Sequence, residues 1–145
     1  MTTLTVDNII INGTTIGHTS DTDAISIASS GVTTFSAAVV GATDTDTSNT
    51  GSVTLDFAAN QNFVLTFTGN VTLANPSTEA VGQSGIIVCI QDGTGSRTLS
   101  LGTDYETAGG SGLTLTSTAN ATDVVPYVVA ASNRILLGTP LLAFS

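Results

Sequence analysis

The chain has 145 residues, among them 27 Thr, 15 Ser and 15 Gly, with 9% charged residues, a formal net charge of -9 and Arg97 and Arg134 as its only basic side chains. That length suits one ordinary domain, or a small domain with an appended arm, and excludes a large multidomain enzyme. Phosphate backbones and anionic lipid surfaces are held by Lys and Arg and by stacked rings, so an acidic chain without Lys or Trp is expected to bind neither nucleic acid nor membrane.

A hydrophobic fraction of 41% is enough to fold, but only 5% of residues are aromatic. Val, Ile, Leu and Ala each bury less area than Phe or Trp, so the core is expected to be thin and completed by other copies of the chain. The opening Met1-Thr2-Thr3-Leu4-Thr5-Val6-Asp7 lacks the basic and apolar regions of a secretory signal.

In chain order, Leu4 to Gly17 holds short β-type runs around the turn pair Asn12-Gly13, and Ala24 to Ala28 and Val32 to Phe35 repeat the pattern. Each piece is too short to bury itself, so residues 1–36 are expected to form an extended β arm. Residues 37–51, with Gly41, Gly51 and the Thr/Asp/Ser/Asn run between them, are expected to be a linker or exposed loop. The body is then 52–145.

Within the body the dominant hydrophobic period is two. Val53, Leu55 and Phe57 alternate with polar residues, as do Phe63, Leu65 and Phe67, and Gly69-Asn70 before Val71 and Leu73 reads as a hairpin turn. Gly85 to Gln91 is a near-continuous apolar run, of the kind expected for a strand covered on both faces. Gln91 to Gly95 is a turn into Arg97 to Leu101, read as a second hairpin, and Leu113 to Thr116, Asp123 to Ala130 and Arg134 to Leu137 are further strands. Pro126 inside such a run implies an edge or a bulge. The fold class is all-β: an antiparallel β-sandwich or jelly-roll-like body preceded by the N-terminal arm.

Catalytic chemistry finds little purchase. His18, the one histidine, sits in a polar turn, and one His with one Cys makes no zinc site. Cys89, within Ile86 to Ile90, reads as a small buried hydrophobe. The carboxylate pairs Asp44/Asp46 and Asp104/Glu106 lie in loop-like sequence with nothing to raise one pKa, and Asp21/Asp23 and Asp44/Asp46 lack the rest of a calcium loop. Asp92 to Thr98 lacks the Lys of a phosphate loop, and the three Asn-x-Thr sequons are what a Thr-rich chain produces by chance. No catalytic residue, cofactor or metal is expected.

The stretches Thr50 to Phe57, Asn62 to Pro76, Gly82 to Gly85 and Gln91 to Leu99 resemble a β domain of tailed-bacteriophage virion proteins, over most of residues 50–145. Leu4 to Gly17 and Ile25 to Ser36 are similar to short repeats in fibre shafts of such phages, often those of aquatic bacteria and cyanobacteria. The resemblance implies a homotrimeric, non-enzymatic virion protein assembled in the host cytoplasm. Two roles follow from it. The first is a capsid decoration or cement protein, bound to the major capsid protein or another virion protein through Leu4, Val6, Ile9, Ile10, Ile11 and Ile16 of the arm. The alternative is a tail fibre or tail-tip receptor-binding protein, with Tyr105, Glu106, Tyr127 and the Gly109-Gly110-Ser111 loop as distal contacts.

Overall fold

The structure is a computed structural model that describes residues 9–18 and 20–144. The chain divides into two compact units, Met1–Val40 and Gly41–Ser145.

The first unit is an antiparallel meander of four strands in the order β1 (Ile9–Asn12), β2 (Thr15–His18), β3 (Asp21–Ile27) and β4 (Thr33–Phe35). Gly13, at φ +61°, takes the first central position of the β1–β2 turn, a conformation open to glycine at no steric cost. The strands are too short to enclose a core. Ile11, Ile27 and Phe35 are exposed, and none of the unit's described apolar side chains is buried.

The second unit is one eight-stranded sheet in the order β5-β6-β7-β10-β11-β9, with β8 also on β6 and β12 also on β10. The strands are β5 (Thr43–Val53), β6 (Asn62–Leu73), β7 (Ser84–Gln91), β8 (Leu99–Leu101), β9 (Tyr105–Thr107), β10 (Thr122–Ala131), β11 (Arg134–Leu137) and β12 (Leu141–Phe144). The period-two pattern places Phe63, Leu65, Phe67, Val71 and Leu73 of β6, Ile87 and Cys89 of β7, Val125, Tyr127 and Val129 of β10 and Ile135 and Leu137 of β11 on one buried face. One cluster drawing on strands from both ends of the order requires the sheet to fold over on itself, so the all-β body is present. Phe57 packs edge-on against Phe63 and Tyr127, at ring-centroid distances of 5.1 and 5.3 Å, and supplies part of the aromatic area the composition left scarce.

Strand direction departs from the expectation in places. The β5/β6, β6/β7, β6/β8 and β9/β11 pairs are parallel, while β10 is antiparallel to β7, β11 and β12. Parallel pairs need crossover connections, and the first of these puts Leu55 and Phe57 over the core. Gly69-Asn70 therefore turns no hairpin: β6 runs straight through it, because residues 71–73 find backbone partners in β8 and β5. Nor do β7 and β8 pair with each other.

Residues 43–51, expected as linker or loop, form most of β5. Their Asp, Asn and Gly residues and lack of apolar side chains disfavour a strand, yet pairing with β6 overrides this. Register shifts flank Asn49, which is buried and donates from Nδ2 to the carbonyls of Asp46 (3.0 Å) and Thr66 (3.2 Å), filling the bulge from within. Leu113 to Thr116 is not a strand: the Thr116 N–H donates to the Asp123 carboxylate at 2.6 Å rather than to a ladder.

Pro126 lies in an interior strand, not at an edge. β11 pairs with residues 127–131 of β10 and β12 with residues 122–124, so the proline falls opposite the break between them. Gly138 fills that break and donates its N–H to the Pro126 carbonyl at 2.9 Å. A Cβ at Gly138 would come within 2.7 Å of Pro126 Cγ.

Candidate functional site

The residues expected to meet a receptor are not gathered at a surface. Tyr105 is 5% exposed and Tyr127 4%, both with their rings in the core. The Tyr127 hydroxyl donates to the Gln61 carbonyl at 2.7 Å, and the Tyr105 hydroxyl, like Glu79 Oε2, is buried with no partner among the described residues. Burial pushes the Tyr105 phenol up, with the nearby Asp104 and Glu79 carboxylates adding to the shift. Alternation explains the miss: Tyr105 follows loop-like sequence, but as the first residue of β9 it pairs with buried Ile135 and shares its face. Of the three side chains Tyr105, Glu106 and Tyr127, Glu106 alone is exposed, and it is engaged by Arg134, whose Nε lies 3.0 Å from Oε1. The Arg134 guanidinium holds the Glu106 carboxyl below the ordinary range. Gly109 and Gly110, at φ +68° and +66°, do form an exposed turn.

Of the residues expected to anchor to a capsid, Leu4 and Val6 lie outside the described residues. Ile9, Ile10 and Ile11 belong to β1, Ile11 being 60% exposed, and Ile16 of β2 is half-buried.

The loop from Gln91 to Arg97 is a closed structural turn. Asp92 Oδ1 accepts the N–H groups of Thr94 (3.0 Å) and Gly95 (2.9 Å), the Asp92 carboxylate pairs with the Arg97 guanidinium at 2.8 Å, and Gln91 clasps the Arg97 backbone by both side-chain atoms. The amides a phosphate would need are thus already taken. Asp123, 2% exposed, accepts from the Thr116 N–H and hydroxyl and from the Ala143 N–H, tying residues 113–118 and β12 to β10. Among the described residues, no group of three or more His, Cys, Asp or Glu side chains is placed to hold a metal ion.

Two surface features stand out instead. One is an open cavity of about 660 Å³ between the connections before β6 and before β7, lined among others by Asn60, Gln61, Thr78 and Gln83. Its polar groups are largely satisfied internally: Gln83 Nε2 donates to the Phe57 and Asn60 carbonyls, both at 2.9 Å, Gln61 Nε2 donates to the Ser84 carbonyl, and Thr78 Oγ1 accepts the Phe57 N–H. The other is the outer face of the sheet. Register aligns Val64, Val88, Val124 and Leu141 across β6, β7, β10 and β12, with Ile86 beside Pro126 in the next row. Its signal in the sequence was the near-continuous apolar run of β7.

Residues 42–132, more than half of the chain, match the family model described as "Putative phage tail fibre C-terminal domain". The chain belongs to that family and is a structural component of a phage virion. No curated protein and no solved structure matches it.

Proposed function

We propose that this chain is a non-enzymatic tail-fibre module that serves host attachment. The family match over residues 42–132 carries this reading, and it favours the tail fibre over capsid cement, the first of the two roles the resemblance implied. The match covers most of the second unit, from the start of β5 to the β10–β11 turn, and leaves β11 and β12 beyond it. The architecture supports it mechanically. A long edge strand, β5, locked to β6 through a bulge plugged by buried Asn49, and crossovers pinned by Gln83 and Tyr127 make a stiff body whose loops are fixed in place. Receptor contact then falls to exposed loops such as Ala108–Gly110, not to the buried tyrosines.

The test is adsorption of intact phage in the presence of Fab fragments raised against the whole chain. Attachment blocked by the Fab, but not by a Fab against the major capsid protein, is the expected result. Unchanged adsorption with the Fab bound to virions overturns the attachment role.

A further inference from the structure

We propose that the outer face of the β6-β7-β10-β12 region is a contact between copies of this chain, with β12 along one side of it. This rests on the second unit alone and holds whether the virion carries the protein on its head or its tail.

A strand with one solvated face alternates apolar with polar residues, whereas one covered on both faces is apolar throughout. β7 and β10 are of the second kind, yet only their inner faces are covered within the chain: Ile86 and Val128 remain 39% exposed, and Val88 and Val124 are half-buried. β12 goes further. Leu141, Leu142 and Phe144 are 58%, 51% and 51% exposed, so this strand buries no large side chain of its own. It is nevertheless held in place, by pairing with β10 across a bulge at Ala143 and by the Ala143 N–H on Asp123 Oδ1 at 2.8 Å. A positioned apolar strand with both faces open is built to be covered.

Charge selects the occupant. The chain has a net charge of -9, so two copies repel except where they meet through an uncharged surface. β6, β7 and β12 contain no Asp, Glu, Lys or Arg, and the single carboxylate of β10, Asp123, points into the core. A cover needed on every copy must be present in equal number, which another copy always is.

Area agrees. Three strands about 4.8 Å apart and some 25 Å long, with the four-residue β12 adding about 13 Å of strand, present roughly 400 Å². That is as large as the biggest apolar patch on a typical monomer and about half of the about 800 Å² that each partner contributes to a stable interface, the remainder falling to a polar rim. Pleated faces of β-branched residues pack on one another at about 10 Å, as in a sandwich.

The test is sedimentation equilibrium of the full chain and of Leu141→Glu and Val128→Glu, with Val40→Glu, an 89% exposed position in the other unit, as the control. Circular dichroism confirms that each variant is folded. The expected result is an oligomer at concentrations on the order of 10 µM, with association weakened about tenfold or more by each substitution on the face and unchanged by the control. A monomeric parent chain, association unaffected by either face variant, or equal loss in Val40→Glu would each overturn the proposal.

Discussion

The hydroxyl of Tyr127, in the middle of β10, donates to the carbonyl of Gln61 at 2.7 Å, joining residues 66 positions apart. The bond fastens the connection that leads into β6 against the far side of the core, where the Tyr127 ring meets Phe57. Tyr127→Phe keeps the ring and leaves the carbonyl short of a partner, which costs about 1 to 2 kcal/mol. Denaturant unfolding is expected to show a lower midpoint with an unchanged slope.

Phe63 and Phe67 are fully buried at the centre of β6. Phe63 is flanked by the rings of Phe57 and Tyr127, at centroid distances of 5.1 and 6.4 Å, which are themselves packed in the core and cannot fully close the space it would leave. Phe63→Ala is expected to destabilise by about 3 to 5 kcal/mol, measured by the same unfolding transition.

Asp123 accepts three hydrogen bonds from two segments that make few other regular backbone pairings. Asp123→Ala strands the Thr116 and Ala143 amides, at a cost on the order of 3 kcal/mol. Hydrogen exchange is expected to quicken at Thr116 and along β12 before it does in β6 or β7.

Two ion pairs, the half-buried Arg97–Asp92 and the exposed Arg134–Glu106, contribute to the acid dependence. The Arg97 guanidinium, then the Gly95 and Thr94 amides, hold the Asp92 carboxyl below its ordinary value, and Arg134 does the same for Glu106. A carboxyl lowered in the folded state stabilises the fold above its unfolded pKa of about 4, and that contribution fades as pH falls through the folded value. Arg97→Gln is therefore expected to lower the unfolding midpoint at pH 7, with the gap from the parent chain closing toward pH 2.

Burial, with Asp123 adding to it, pushes the Cys89 thiol up to about 12. Iodoacetamide at pH 8 is expected to leave the folded chain unmodified and to alkylate Cys89 only after denaturant unfolds it.

Much of the fold was legible because alternation is a local property. Phe63, Leu65 and Phe67 announced β6, and Arg134 to Leu137 announced β11. What alternation does not encode is which strand lies beside which, or in what direction. Gly69-Asn70 carries the local chemistry of a turn, and only the pairing of Val71 to Leu73 with β8 and β5 keeps that chain extended. Likewise Thr43 to Asn49 has loop composition, and its strand exists because β6 offers a backbone partner. The candidate contacts suffered in the same way. Tyr105 stands beside Asp104 and Thr103 in the sequence, so it reads as exposed until β9 is seen to pair with Ile135. The outer face was half visible: the apolar run of β7 signalled a second covered side, but its neighbours in register became known only with the sheet order.

The most direct test of the tail-fibre assignment is gold-labelled antibody against the whole chain, applied to intact virions and viewed by electron microscopy. The account predicts label confined to the tail fibres. Label spread over the head would contradict it and restore the capsid-cement role.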